Sequence, residues 1–129
     1  MKNKYLDCKT IAAPFGHYSH VVETSAGMRT VHVAGQVGAH PDGSVPNDAS
    51  EQTKIIFSNI EKVLAEVGMS FSDIVKMNYF VVNEEDLLAI RAVRDTYILA
   101  PYPAASLVLV KALGQAEWRL EIECVASAV

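Results

Sequence analysis

The sequence predicts an α+β domain in which two helices cover one face of a β-sheet. Two segments have the apolar spacing of amphipathic helices, and five or six others have the alternation or the β-branched content of strands. They follow one another in the order β-β-α-β-α-β-β, which favours a layered α+β domain over a doubly wound parallel sheet. Because the chain has 129 residues and 50% of them are hydrophobic, we expect a single domain over residues 1–129 with one core.

Strands are predicted before the first helix. The segment Arg29–Gly35 alternates regularly, with Val31 and Val33 on one face. Residues 25–27, which end in glycine, are typical of a hairpin turn. We therefore expect a shorter strand at Val21–Thr24 to pair with the longer one.

Helix boundaries are marked by capping residues and breakers. Asp48 and Glu51 have the spacing of a capping box, and Gly68 is suited to the position after the first helix. Asn83 is expected to cap the second helix, and Pro101 stops it. The predicted buried stripes are Ile56, Ile60, Val63, Leu64 and Val67 on the first helix, and Leu87, Ile90 and Tyr97 on the second.

Three further strands complete the pattern. Ile74–Val82 is rich in β-branched and aromatic residues, as expected for a strand covered on both faces. Ala104–Val110 follows Pro103, and Trp118–Ala126 alternates between apolar and charged residues.

Composition and charge exclude several classes of protein. The 11 basic residues are outnumbered by 15 acidic ones, so the basic stripe typical of nucleic-acid binding is missing and an RNA or DNA partner is not expected. No apolar run approaches the roughly 20 residues of a membrane span, and the N-terminal segment lacks the apolar core of a secretory signal. Cys8 and Cys124 match no zinc or redox spacing. We expect a cytoplasmic protein with reduced thiols and no membrane partner.

Short motifs offer little chemistry on their own. The glycines of residues 35–38 fit neither a dinucleotide fingerprint nor a P-loop. His17 and His20 have a spacing that could place two imidazoles on one metal ion, but no nearby acidic or thiol group completes a ligand set. We therefore predict no metal.

Charged side chains on the last strand and the second helix have two interpretations each. Glu121 could accept a proton or orient a water molecule, since partial burial raises the pKa of a carboxyl group; alternatively, it pairs with neighbouring charges on a solvated sheet face. Arg91 and Arg94 stand among acidic residues and have the pattern of ordinary surface charges.

Five fragments, taken together and in order, resemble the RidA/YjgF family of enamine and imine deaminases, also called endoribonuclease L-PSP proteins. The fragments are RTVHVAGQVG, NIEKVLAEVG, DIVKMNYFV, PAASLVLV and LEIECVA, and the resemblance runs from about Pro14 to Ala126. It implies a chorismate-mutase-like fold, a homotrimer and ligand clefts at the subunit interfaces. Deaminases of this family hydrolyse 2-aminoacrylate-type enamines, after tautomerisation to the imine, to a 2-keto acid and ammonia without a cofactor.

The resemblance assigns site residues position by position. Tyr18 matches a tyrosine of the ligand cleft and Glu121 matches the glutamate that positions the attacking water, and both are expected to be catalytic. In the family segment P-A-R-S the arginine binds the substrate carboxylate, but here Ala105 occupies its place. The remaining expected substrate-binding positions are Gly35, Gln36, Arg91, Ser106, Leu107 and His17.

Losing the arginine leaves two functions open. The protein could hydrolyse an enamine or imine other than the usual small 2-imino acids, with Arg91 holding a carboxylate from a different direction. Alternatively, the trimer binds a small metabolite without turning it over, and Glu121 is a ligand contact rather than a base. For Arg91 itself, the other interpretation is pairing with Glu84 or Asp95 on the surface or at the trimer interface. The ribonuclease activity in the family's second name is poorly supported by the acidic balance of charges.

Overall fold

The computed structural model describes residues 1–129 and has six strands and two helices. Two short 3₁₀ turns, Phe71–Asp73 and Glu84–Asp86, precede a strand and a helix respectively. The elements in chain order are β1 (Lys4–Leu6), β2 (Val21–Glu23), β3 (Arg29–Gln36), α1 (Ala49–Glu66), β4 (Ile74–Val81), α2 (Leu87–Tyr97), β5 (Ala104–Leu109) and β6 (Leu120–Ala128).

The predicted α+β class is confirmed, with the strands divided between two sheets. Four strands form a mixed sheet in the order β3-β6-β4-β5, in which only β4 and β5 are parallel. The strands β1 and β2 form a separate antiparallel pair. No helix is both long enough and apolar enough to cross a membrane.

The hairpin predicted between β2 and β3 is wrong. The chain does turn at Gly27, which has a φ of 85°, but the hydrogen-bonded partner of β2 is β1, with Val22 opposite Tyr5. A strand of three residues shows no alternation, so β1 could not be recognised as the competing partner.

The core lies between the two helices and one face of the four-stranded sheet. On α1 the predicted Ile56, Ile60 and Leu64 are fully buried. Phe57, which was not predicted, is also fully buried, whereas the predicted Val63 and Val67 are partly exposed. The rings of Phe57 and Tyr97 stack with centroids 5.1 Å apart and join α1 to α2. The opposite face of the sheet carries the polar side chains of β6 and is left open.

The caps of the two helices differ from each other. The side chain of Asp48 accepts a hydrogen bond from the backbone N–H of Glu51 at 2.9 Å, so the predicted start of α1 is confirmed. Asn83 makes no side-chain cap bond, because a 3₁₀ turn intervenes and α2 begins only at Leu87. The prediction for the second cap is therefore wrong.

Candidate functional site

A cavity of about 450 Å³ lies where the loop before β2, the helix α2 and the strand β5 meet. Six of the nine predicted site residues line it. These are His17, Tyr18, Arg91, Ala105, Ser106 and Leu107, and the other lining residues are Phe15, Gly16, Tyr79, Arg94 and Asp95.

Hydrogen bonds hold the loop of residues 15–19 against the chain that leads into β5. The backbone N–H of Ser19 donates to the carbonyl of Pro103 at 3.1 Å, and its hydroxyl donates to the carbonyl of Tyr102 at 2.6 Å. The ring of His17 stacks on Tyr102 with centroids 4.7 Å apart. The hydroxyl of Tyr18 accepts from the backbone N–H of Phe15 at 3.1 Å, which fixes the ring inside the loop. These contacts explain how residues far apart in sequence share one cavity.

The wall formed by α2 carries two guanidinium groups with different environments. The side chain of Arg94 is only 14% exposed, and its Nε and Nη2 atoms donate to Oδ1 of Asp95 at 3.0 and 2.9 Å. Arg91 is exposed and makes no ion pair or side-chain hydrogen bond. The expectation that Arg94 is an ordinary surface charge is therefore wrong, and Arg91 does not pair with Glu84 or Asp95 within one chain.

Asp95 joins the helix to the loop. Its Oδ1 atom, which accepts from Arg94, also lies 3.2 Å from Nδ1 of His17. One carboxylate oxygen thus contacts both an arginine and a histidine of the cavity. With two arginines against one aspartate, the cavity has a formal charge of +1 when His17 is neutral.

Tyr79 closes the cavity from the side of the sheet and was missed by the sequence analysis. The residue is 3% exposed, and its hydroxyl lies 3.3 Å from Sδ of Met77. Burial raises the pKa of the Tyr79 phenol, and the nearby charge of Arg94 only partly opposes this shift. The phenol therefore stays neutral.

The other three predicted residues lie together on the open face of the sheet, outside this cavity. A Cβ atom on Gly35 would overlap the carboxylate of Glu121, so the absence of a side chain there makes room for it. Gln36 donates from Nε2 to the carbonyl of Ala34 at 3.1 Å. Along the sheet, Glu121 is opposite Phe80, whereas Ser106 is opposite Asn78 on the next strand pair. In one chain the two groups of residues form separate surfaces.

Glu121 makes no hydrogen bond or ion pair, unlike the charged residues beside it. Arg119 donates to Asp86 at 3.2 Å and to Asn47 at 3.0 Å, and Glu123 accepts from Asn78 at 3.1 Å. The interpretation in which these three residues pair with each other across the strands is therefore wrong. The carboxylate of Glu121 is available to a water molecule or a ligand.

The two loop histidines are engaged by different partners. Nδ1 of His20 accepts from the backbone N–H of Cys8 at 3.0 Å, whereas Nδ1 of His17 faces Asp95. No group of three or more metal-binding side chains is found.

Comparison with known proteins agrees with this arrangement of strands and helices. The model of the family described as Endoribonuclease L-PSP matches residues 9–128. The chain belongs to the endoribonuclease L-PSP family. The resemblance to RidA/YjgF proteins drawn from the sequence fragments is thereby confirmed.

The chain is similar along most of its length to a deaminase and to solved structures of related proteins. The 2-iminobutanoate/2-iminopropanoate deaminase of Dermatophagoides farinae is 32% identical over 114 residues, covering 87% of this chain and 86% of the relative. The crystal structure of YyfB from Yersinia pestis, of the conserved Rid protein family, has a TM-score of 0.85 at 30% identity and full coverage of both chains. That of Escherichia coli TdcF with bound serine has a TM-score of 0.72 at 27% identity, covering 98% and 99% of the two chains.

Proposed function

We propose that this L-PSP family protein hydrolyses a reactive enamine or imine to a carbonyl compound and ammonia. The observation that carries the proposal is the carboxylate of Glu121, which is seated over Gly35 and has no partner within the chain. Relatives named as iminobutanoate and iminopropanoate deaminases support the same reaction class.

The reaction needs one base and no redox step. The carboxylate of Glu121 takes a proton from water as the water oxygen bonds to the carbon of the C=N group, and it passes that proton to the imine nitrogen, which gives a neutral carbinolamine. Glu121 then takes the hydroxyl proton and delivers it to the amine nitrogen, so that the C–N bond breaks, ammonia leaves and a carbonyl group remains. Tyr18, held by its bond to Phe15, is proposed to orient the substrate.

The homotrimer implied by the resemblance to RidA/YjgF proteins is proposed for this chain. It is supported by the separation of Glu121 from the cavity in one chain, because a neighbouring copy could bring the open sheet face of one protomer against the cavity of another. Such a cleft would combine Tyr18 and Ser106 with Gly35, Gln36 and Glu121. Light scattering after size-exclusion chromatography is expected to give a mass of about three times 14.0 kDa.

The cytoplasm remains the proposed location, because two unpaired cysteines are typical of a reducing compartment.

The substrate is proposed to differ from the usual small 2-imino acids because Ala105 lacks a charged group. The charge-assisted contact between the family's arginine and a substrate carboxylate contributes roughly 1.5–3 kcal/mol. A ligand that relied on this contact would bind this protein about ten- to a hundredfold more weakly than a relative that has the arginine. The unpaired Arg91 is one group that could hold a carboxylate from another direction.

An imine-trapping assay tests the proposal. An amino-acid oxidase generates 2-imino acids in the presence of semicarbazide, and the protein competes with the trap for the imine. Wild type is expected to suppress trapping of a 2-imino acid larger than the usual small ones, and Glu121→Gln is expected not to. If only Ala105→Arg is active, the catalytic groups are intact and a different substrate is used. Inactivity of both forms would favour a trimer that binds a small metabolite without turnover.

A further inference from the structure

We propose that Arg94 is the residue that anchors the ligand's carboxylate, and that the ligand is a 2-imino acid, or the corresponding 2-oxo acid, with a bulky apolar side chain. The proposal deepens the proposed function, on which its substrate class rests. It places the anion against helix α2 rather than against strand β5.

The donors of Arg94 are only partly used within the chain. A guanidinium group has five N–H donors, and Nε and Nη2 each donate once to Oδ1 of Asp95. Three N–H groups remain without a protein partner. No nitrogen of Arg94 is among the enclosed polar atoms that lack a partner, so the free donors are accessible, and the side chain lines the cavity.

The low exposure of the Arg94 side chain favours an anion partner over bulk water. The side chain is 14% exposed, and a charge removed from water needs partners for its remaining donors. Arg91, one helical turn earlier, is exposed and keeps its hydration. Arg94 therefore gains more than Arg91 from a carboxylate that enters the cavity.

Asp95 fixes the direction of the free donors. Because it binds the edge formed by Nε and Nη2, the end of the guanidinium group that carries Nη1 is left for a second carboxylate. The same Oδ1 atom of Asp95 also contacts His17, whose ring is stacked on Tyr102, and this contact further restrains the Asp95 side chain. Asp95 is thus a positioning residue for Arg94.

The rest of the cavity suits an apolar side chain. Phe15, Tyr79, Ala105 and Leu107 contribute apolar surface, and the small Ala105 leaves space on the wall of β5. A volume of about 450 Å³ lies within the range of roughly 300–1,000 Å³ that is typical of pockets for larger small molecules. A carboxylate on Arg94 leaves most of this volume for the ligand's side chain.

Calorimetric binding of stable 2-oxo acids tests the assignment without catalysis. Phenylpyruvate is the probe, its methyl ester removes the charge, and 2-oxobutanoate removes the bulk. Wild type is expected to bind phenylpyruvate more tightly than either of the other two. Arg94→Gln is expected to weaken binding of phenylpyruvate about ten- to a hundredfold, the range for charge-assisted hydrogen bonds.

Control variants separate the effect of the planar N–H donors of Arg94 from the effect of its charge and from any loss of folding. Arg94→Lys keeps the charge but not the planar donors and is expected to bind with intermediate affinity. Lys62→Gln removes one exposed positive charge on α1 and is expected to bind like wild type. Thermal unfolding of each variant shows whether the fold is kept.

The outcomes distinguish this proposal from the proposed function. Unchanged affinity in Arg94→Gln, tighter binding of 2-oxobutanoate, or no binding of any 2-oxo acid by wild type would overturn the anchor assignment. If phenylpyruvate binds in an Arg94-dependent manner but wild type hydrolyses no imine, the anchor stands and the proposed hydrolysis fails. Glu121→Gln is expected to retain binding while losing hydrolysis.

Discussion

Replacing Gln52 with leucine is expected to destabilise the fold through the loss of three hydrogen bonds. Gln52 lies in the first turns of α1 and is fully buried. Its Nε2 atom donates to the carbonyls of Pro46 and Glu117, both at 2.9 Å, and its Oε1 atom accepts from the backbone N–H of Arg119 at 2.9 Å. One side chain therefore joins the loop before α1 to the chain that enters β6.

The magnitude follows from the number of partners left behind. Leucine has a similar volume, so little packing is lost, but three backbone groups lose their partner in a partly buried site. At about 1 kcal/mol per hydrogen bond, the free energy of unfolding is expected to fall by about 3 kcal/mol, and by more if water cannot reach the freed groups. Urea unfolding followed by circular dichroism measures the difference, with both proteins at the same concentration because association would also contribute.

A matched substitution controls for the change in side-chain chemistry. Gln115 is exposed and its side chain makes no hydrogen bond, so Gln115→Leu is expected to alter stability by less than about 0.5 kcal/mol. A loss below about 1 kcal/mol for Gln52→Leu would show that the three bonds do not join these segments as the geometry indicates.

Three other predictions concern glycines and thiols. Gly35→Ala is expected to displace the flexible carboxylate of Glu121, and therefore to lower imine hydrolysis at least tenfold with little change in stability to urea. In Gly38→Ala the new Cβ atom would lie 2.6 Å from the backbone of α1, which cannot move easily. This variant is expected to lower the free energy of unfolding by more than about 2 kcal/mol. In the native protein Cys8 is expected to be alkylated, because it is exposed and hydrogen bonds with Thr10 lower its pKa. The buried Cys124 is expected to be alkylated only after unfolding, and peptide mass spectrometry distinguishes the two sites. Burial raises the pKa of Cys124 from 9.0 to about 12, so the thiol stays protonated in the folded state at pH values where the unfolded chain loses the proton. The free energy of unfolding is therefore expected to fall as pH rises from about 9 towards 12. If the melting temperature of Cys124→Ala had the same dependence on pH as that of wild type, this expectation would be contradicted.

Local patterns predicted the long elements of the fold and failed for the short ones. The cap at Asp48 and the alternation of Leu120, Ile122 and Cys124 are visible in the sequence because they depend on neighbouring residues. The observed strand β6 nevertheless begins at Leu120 and ends at Ala128, two residues later than predicted at each end. The pairing of β1 with β2 depends on a partner 15 or more residues away, and periodicity carries no information about such a partner.

Site residues could be predicted from the sequence where they lie in fragments that resemble the family. They could not be predicted where tertiary packing determines which side chains line the cavity. Tyr18, Ala105 and Glu121 were found from matching segments. Arg91 and Arg94 both stand among acidic residues in the sequence, and only the folded chain shows that the side chain of Arg94 is 14% exposed whereas Arg91 is exposed. Tyr79 lies in a segment with the pattern of a core strand, and it is buried as that pattern predicts. The sequence does not show that it also lines the cavity, because the cavity is formed with a loop that is distant in sequence.

The central position of β6 also affects how the protein can be made. This strand lies between β3 and β4, yet it is synthesised after both of them. Until β6 leaves the ribosome, β3 has no partner in the four-stranded sheet and β4 has only β5, so both offer unpaired edges to other chains. Helices α1 and α2 and the β4–β5 pair can form earlier, whereas completion of the sheet waits for the final strand. Nascent chains paused before β6 should therefore be the form most in need of chaperones.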